Sequence, residues 1–155
     1  MHILIAAVGR ARSGPEQALF ETYRQRLAWP LTLKEVEERR KLPPKQLMVR
    51  EGELLLAALP KRHPGLVVVV LDPRGTALSS EALARKLGGW RDGGIDEIAF
   101  LIGGADGHGP AVGERAGFTL SLGSMTWPHL LVRAMLAEQL YRAQQILAGH
   151  PYHRG

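Results

Sequence analysis

The chain has 155 residues, enough for one domain with an ordinary hydrophobic core, and it contains no cysteine. The lack of cysteine excludes disulfides and thiolate metal sites and is compatible with a cytoplasmic protein. Twenty Lys and Arg against 15 Asp and Glu give a net charge of +5, a modest excess that fits an anionic partner without identifying one. The apolar run at the N-terminus is too short to span a bilayer, so we predict a strand there.

Predicted strands and helices alternate along the whole chain. The strands are expected at 2–8, 31–37, 66–71, 98–102 and 118–122, and the helices at 13–27, 44–58, 79–90, from 110 onwards, and at 128–149. Ser13 with Glu16 three residues later predicts a capping-box start for the first helix. The run LVVVVL at 66–71 predicts a strand buried on both faces, ended by a turn at 72–75. This alternation predicts an α/β fold with a largely parallel sheet.

The helix predicted at 128–149 is apolar on nearly every side. Such a helix must be buried in the core or against a partner chain. It nevertheless carries His129 and Arg133 one turn apart on one face. A tail of sequence HPYHRG, dense in His, Tyr and Arg, follows it. These polar groups at both ends predict that the helix positions functional side chains.

Two glycine-rich loops follow buried strands, GGADGHG at 103–109 and LGSMTW at 122–127. Ligands of open α/β sheets bind at the carboxyl ends of strands, and glycine lets the backbone approach a ligand closely. The first loop is not a dinucleotide fingerprint, because Val112 stands where the last glycine belongs, and the chain has no P-loop. Either loop alone could be a simple turn. Together, just before His129, they favour a small-molecule site.

Three blocks resemble the RlmH family in sequence and order: LIGGADGHGP, SLGSMTWPHLLVRAMLAEQLYRA and the C-terminal HPYHRG. The resemblance extends over the whole chain, including VVVVLDPRG. RlmH proteins are SPOUT-class methyltransferases that modify a pseudouridine in bacterial large-subunit ribosomal RNA. The resemblance implies a SPOUT-type, mostly parallel sheet flanked by helices, with a C-terminal deep trefoil knot. The chain departs from the family at Ala105-Asp106, Trp127 and Leu130, which concerns loop shape and packing rather than polar groups.

The resemblance also implies a cofactor, a partner and a substrate. S-adenosyl-L-methionine is expected to bind in a bent form, mostly through backbone groups and without a metal. A cytoplasmic homodimer is expected to methylate N3 of a pseudouridine in the inter-subunit stem-loop of 23S rRNA, on assembled ribosomes. By motif match, the cofactor-binding residues are Leu71, Gly103, Gly104, Leu122, Gly123, Ser124, Met125, Thr126 and Trp127.

The expected reaction transfers a methyl group from a sulfonium to a ring nitrogen that loses its proton, so it needs positioning and a base. His129 can accept that proton, because an imidazole ordinarily titrates near pH ~6.5, and Arg133 would hold a phosphate or nucleobase oxygens. Tyr152 would stack on the nucleobase or hydrogen-bond to it, and His153 would act as a general base or contact RNA. The tail residues expected to contact RNA directly are His150 and Arg154. We predict that the tail of one protomer completes the pocket of the other.

Simpler interpretations are available for each of these residues. A histidine in the first turn of a helix can be a structural hydrogen-bonding group, and a C-terminal cluster can be a frayed end. His150 and His153 have a metal-like spacing, but without cysteine we predict no zinc site. His2, His63 and His108 are interpreted as structural. The alternative functions are methylation of another rRNA or tRNA nucleotide and non-catalytic ribosome binding.

Overall fold

Five parallel strands form the centre of the protein. The strands are β1 (His2–Val8), β2 (Leu31–Val36), β3 (Leu66–Ala77), β4 (Glu97–Ile102) and β5 (Phe118–Ser121). Their order across the sheet is β2-β1-β4-β3-β5, and every neighbouring pair is parallel. The computed structural model describes residues 1–154, with side chains as far as Tyr152.

The helices cover both faces of this sheet. They are α1 (Pro15–Arg26), α2 (Pro44–Ala57), α3 (Ser80–Asp92), α4 (Pro110–Arg115) and α5 (His129–Leu147), and a 3₁₀-helix at Pro151–Arg154 follows. Phe20 of α1, Leu87 of α3 and Leu136 of α5 belong to the core on one face. Leu55 of α2 and Val112 of α4 belong to the core on the other. The structure thus confirms the predicted α/β fold, a parallel sheet flanked by helices.

The strand side chains alternate between the two cores. In β1, Ile3 and Ile5 pack on the face of α1, α3 and α5, whereas Leu4 and Ala6 pack on the face of α2 and α4. All of these side chains are essentially inaccessible to solvent. Strands buried on both faces have no polar face, which explains the continuous apolar runs in the sequence.

Strand β3 is longer than predicted, and it contains a bulge. Leu71 and Thr76 both pair with Leu120 of β5, so residues 72–75 are displaced from the ladder. Within this bulge, Oδ1 of Asp72 accepts a hydrogen bond from the amide of Arg74 at 2.8 Å. The prediction that a turn ends the strand at Leu71 is therefore wrong, because pairing resumes beyond the displaced residues.

The starts of two helices differ from the prediction. Helix α1 begins at Pro15 with Gly14 as its N-cap and has no side-chain capping bond, so the predicted capping box of Ser13 and Glu16 is not formed. Helix α5 begins at His129, with Pro128 as its N-cap. A proline with extended backbone can precede a helix as well as open it.

Helix α5 packs against α1 and α3, and its apolar side chains are buried along one stripe and half-buried elsewhere. Its buried residues are Arg133, Ala134, Leu136, Ala137, Leu140 and Ala143.

In the described part of the chain, no helix is both long and apolar enough to cross a membrane. The trefoil knot stays a prediction.

Candidate functional site

A cavity of about 580 Å³ lies at the carboxyl ends of β3, β4 and β5, beside the first turn of α5. Because the three strands are parallel and adjacent, their following loops converge at one edge of the sheet. The cavity has the size of pockets that hold a drug-sized ligand, ~300–1,000 Å³. This edge is therefore the candidate ligand site.

The structure brings most of the predicted cofactor residues together around this cavity. Those that line it are Leu71, Gly103, Gly104, Leu122, Gly123, Met125, Thr126 and Trp127. Ser124 belongs to the same loop but is exposed and does not line the cavity. Cofactor contact by these residues stays a prediction, but their common location is an observation.

The loop after β5 forms an apolar rim. Met125 is 71% exposed and Trp127 is 40% exposed, both high values for large apolar side chains. The indole Nε1 of Trp127 donates to the carbonyl of Leu122 at 3.3 Å, which turns the ring along the rim. Gly123 has a φ of 108°, a conformation that side-chain-bearing residues rarely adopt. Two exposed apolar side chains beside a cavity can close over the flat face of a ligand.

The loop after β4 has a buried carboxyl group beneath it. A Cβ added to Gly104 would lie 2.9 Å from Oε1 of Glu51, so only glycine allows this approach. Glu51 is 9% exposed, and its Oε1 has no hydrogen-bond partner. Burial, with a smaller contribution from the charge of Asp106, raises the pKa of Glu51. The underside of the loop is thus packed on a carboxyl group that favours its neutral form.

His129 is an exposed residue at the mouth of the cavity. It lies above the end of β1, where a Cβ added to Gly9 would be 3.2 Å from the imidazole Nε2. Gly9 also has a φ of 97°. Glycine is therefore favoured there both by this backbone conformation and by the closeness of the imidazole. This position gives His129 access both to a ligand in the cavity and to a substrate arriving from solvent.

Arg133 is not available to a substrate in this structure. Its side chain is 1% exposed, Nη1 lies 2.7 Å from Oε2 of Glu35, and Nη2 donates to the carbonyl of Gly9 at 2.8 Å. A buried guanidinium cannot meet an RNA phosphate in solvent. We therefore correct the expectation that Arg133 holds phosphate or nucleobase oxygens: it clamps the end of β1 to β2 and α5.

Glu35 is the other half of this clamp. Burial would raise the pKa of Glu35, but hydrogen bonds from the Ala11 amide and the Arg133 guanidinium outweigh burial and lower it. The Ala11 amide lies 2.6 Å from the same carboxylate oxygen, Oε2. The ionised carboxylate thus also fixes the loop that follows β1.

Tyr152 lies at the far end of α5 from the cavity. Its ring centroid is 4.8 Å from that of Tyr141, and its hydroxyl is 3.4 Å from Oε1 of Glu138. Burial, with hydrogen bonding to Tyr23, raises the pKa of Tyr152 to about 12. The 19 residues of α5 span roughly 28 Å at ~1.5 Å per residue, so one chain does not bring Tyr152 to His129.

His150 makes a local contact in the tail after α5. Nδ1 of His150 accepts a hydrogen bond from the amide of Tyr152 at 3.3 Å, a local contact that turns the chain after α5. The side chains of His153 and Arg154, predicted to act at the site, lie outside the described part of the structure. Among the side chains of residues 1–152, no group of three or more His, Asp or Glu is arranged to hold a metal ion.

Sequence reasoning missed several residues of the cavity wall. His108 was interpreted as structural, yet it lines the cavity, and its Nε2 lies 3.1 Å from the carbonyl oxygen of Leu71. Its position between Gly107 and Gly109, in a loop that leaves a buried strand, was the available signal. Asp72 and Pro73 of the β3 bulge also line the cavity and were missed, because the bulge was taken for a turn.

The chain is similar to several known proteins. The SpoU methyltransferase AviRb from Streptomyces viridochromogenes, solved in complex with AdoMet, has a TM-score of 0.48 and 12% identity, covering 94% of this chain and 58% of that chain. The ribosomal RNA large subunit methyltransferase H of Rhodospirillum centenum is 61% identical, and that of Paramagnetospirillum magneticum is 60% identical, each covering 99% of both chains. The family described as predicted SPOUT methyltransferase matches residues 1–153. The chain belongs to the SPOUT methyltransferase family, within its ribosomal RNA large subunit methyltransferase H group.

Proposed function

We propose that this protein uses S-adenosyl-L-methionine to methylate N3 of a pseudouridine in the inter-subunit stem-loop of 23S rRNA, on assembled ribosomes in the cytoplasm. The observation that carries the proposal is the cavity at the ends of β3, β4 and β5, with His129 at its mouth. The names of the relatives that are about 60% identical over nearly the whole chain supply the class of substrate.

The cavity fits the proposed cofactor. Its volume of about 580 Å³ lies within the range of small-molecule sites, and its floor includes the apolar side chains of Leu71, Ile102 and Leu120. Glycines at 103, 104 and 123 leave backbone groups accessible to a ligand. Leu71 and the 122–127 loop would hold the cofactor, with Trp127 against its adenine. When bound, S-adenosyl-L-methionine supplies an electrophilic methyl group.

The residues of the chain then have separable roles. The pocket walls align the methyl group with the target nitrogen, because in-line positioning provides much of the acceleration in group transfer. His129 accepts the N3 proton as the new N–C bond forms, so no charge is left on the ring. The clamp of Arg133 and Glu35 keeps Gly9 beneath the imidazole and therefore positions His129.

A symmetric homodimer would supply the rest of the site. Tyr152 lies roughly a helix length from His129 of its own chain, so the tail can contribute only to the cavity of a second copy. In that arrangement Tyr152 stacks on the target base, His153 assists proton transfer, and His150 and Arg154 contact the RNA. The net charge of +5 is consistent with an RNA partner.

The test is transfer of labelled methyl groups to ribosomes from cells that lack this gene, followed by mapping of the labelled nucleotide. Label on one pseudouridine of 23S rRNA in assembled ribosomes, and not on free rRNA or separated subunits, is the expected result. Label on another nucleotide would support methyl transfer to RNA but would show that the proposed pseudouridine is not the target. No label and no cofactor binding would leave a non-catalytic ribosome-binding protein.

A further inference from the structure

His108 ties together two parts of the cavity wall. It belongs to the loop after β4, defined here as residues 103–109, and its Nε2 lies 3.1 Å from the carbonyl oxygen of Leu71 at the end of the first part of β3. The imidazole is half-buried and lines the cavity. A carbonyl oxygen can only accept, so Nε2 carries the hydrogen and donates it.

Gly103 gives the imidazole the space to lie in this position. A Cβ added to Gly103 would be 2.9 Å from Cε1 of His108 and 3.1 Å from its Nδ1, closer than such atoms normally approach. Any side chain at position 103 would therefore push the ring away from Leu71. The glycine and the histidine act as a pair.

The remainder of the 103–109 loop has few anchors. Its tip is a turn in which the amide of Gly107 donates to the carbonyl of Gly104 at 3.1 Å, and residues 105–107 are exposed. The imidazole of His108 joins this loop to β3 through its hydrogen bond to the carbonyl of Leu71, and it also interacts with the backbone of Leu101 in β4. Glu51 packs beneath Gly104 but makes no hydrogen bond to it through Oε1.

The cavity exists with His108 in this position. Its volume of about 580 Å³ is measured beside the imidazole, so a ligand has room without displacing the ring. This observation distinguishes a residue that shapes the pocket from one that obstructs it.

We propose that His108 is a positioning residue of the cofactor pocket, whose Nε2–H fastens the 103–109 loop to Leu71 and holds its backbone in the form that binds the cofactor. The proposal rests on the proposed function for its cofactor, but the fastening itself is a property of the free protein. It can therefore be tested with and without ligand.

The first test is hydrogen exchange of the ligand-free protein. His108→Leu replaces the imidazole with an apolar side chain of similar bulk. It should speed exchange of the loop amides by roughly threefold to tenfold, which corresponds to the net free energy of one hydrogen bond. His108→Gln places an amide donor near the position of Nε2 and should restore protection, whereas His108→Asn should not reach Leu71. His63→Leu is the matched control, since His63 contacts Glu97 at the amino ends of the strands.

The second test is binding of S-adenosyl-L-methionine by calorimetry, with methyl-transfer kinetics beside it. His108→Leu should raise the cofactor Kd and KM by roughly threefold to tenfold with little change in kcat, and His108→Gln should recover most of the loss. Tighter binding by His108→Leu would show that the ring obstructs the pocket and would overturn the proposal. Unchanged exchange in the loop would overturn it as well.

The two tests separate this proposal from the function on which it rests. If the unmodified protein binds no cofactor, the proposed function fails, and hydrogen exchange still decides whether His108 fastens the loop. Gly103→Ala provides an independent route, because its methyl group should displace the ring. In a His108→Ala background Gly103→Ala should add little further exchange, and additive effects would contradict the pairing.

Discussion

Nη1 of Arg133 lies 2.7 Å from Oε2 of Glu35, although the two residues are 98 positions apart in the chain. The pair joins β2 to α5, and the same guanidinium donates to the carbonyl of Gly9 at the end of β1. Three elements that meet beside the cavity are thus held by one side chain. The pair stabilises the fold beside His129, whose imidazole lies close to Gly9.

Arg133→Met should lower the free energy of unfolding by about 3 kcal/mol, because it removes the buried charge that pairs with Glu35 and donates to the carbonyl of Gly9. Chemical denaturation measures this loss. The control is Arg142→Met, which removes a more exposed pair with Glu138 on the same helix. That control should lose less than about 1 kcal/mol, and equal losses from the two variants would refute the buried clamp.

Gly9→Ala should impair methyl transfer beyond its effect on stability. The substitution introduces backbone strain of about 1–2 kcal/mol at a φ of 97° and places a methyl group against His129. Gly94→Ala is a matched control, since Gly94 has the same φ and open space around it. Both variants should melt at lower temperature, but only Gly9→Ala should lose activity in folded protein. A comparable loss of activity in Gly94→Ala would contradict a specific effect of Gly9 on His129.

Glu51→Gln should stabilise the protein at neutral pH. Burial raises the pKa of Glu51 above its ordinary value of 4.5, so the folded protein favours the neutral carboxyl. The resulting destabilisation is absent well below pH 4.5, grows as the pH rises from 4.5 to the raised pKa, and is constant above it. The gain from Glu51→Gln, followed by denaturation between pH 4 and 8, should therefore appear only at the higher pH values.

The control for Glu51 lies on the same helix. Glu53 is well exposed and pairs with Arg50 at the surface, so Glu53→Gln should change stability by less than about 0.5 kcal/mol. A stabilisation by Glu51→Gln that was constant across the pH range would show that ionisation is not its cause.

Mixing two inactive proteins should restore methyl transfer if the tail acts across a dimer. His129→Ala lacks the proposed base and Tyr152→Ala lacks the proposed stacking residue, so a mixed dimer contains one intact site of two. Random exchange of subunits in a symmetric dimer should recover roughly a quarter of the unmodified activity. Activity that stayed at the level of the separate variants would place His129 and Tyr152 in independent roles.

Much of the fold could be predicted because its signals are local. Continuous apolar runs such as 66–71 predicted buried strands, and the alternation of strands with helices predicted a parallel sheet. That sheet in turn predicted where the 103–109 and 122–127 loops would converge. The structure confirms each of these steps.

The remaining features depend on partners that are distant in the chain. The bulge at 72–75 exists because Leu71 and Thr76 both pair with Leu120, and no local pattern encodes that register. Arg133 was expected at the substrate because its sequence neighbours show no partner for it. Its carboxylate partner, Glu35, lies 98 positions away in the chain. His108 binds a backbone carbonyl, a group that every residue has, so no side chain in the sequence marks its partner.

The partners of Arg133 also constrain when the protein can finish folding during its synthesis. Gly9 and Glu35 are translated long before Arg133. Until Arg133 is made, the carboxylate of Glu35 and the carbonyl of Gly9 lack the guanidinium that binds both. Contacts between residues so far apart in sequence are associated with slower folding. Since α5 carries both His129 and Arg133 and follows β5 in the chain, the clamp and this edge of the cavity can form only after all five strands have been made.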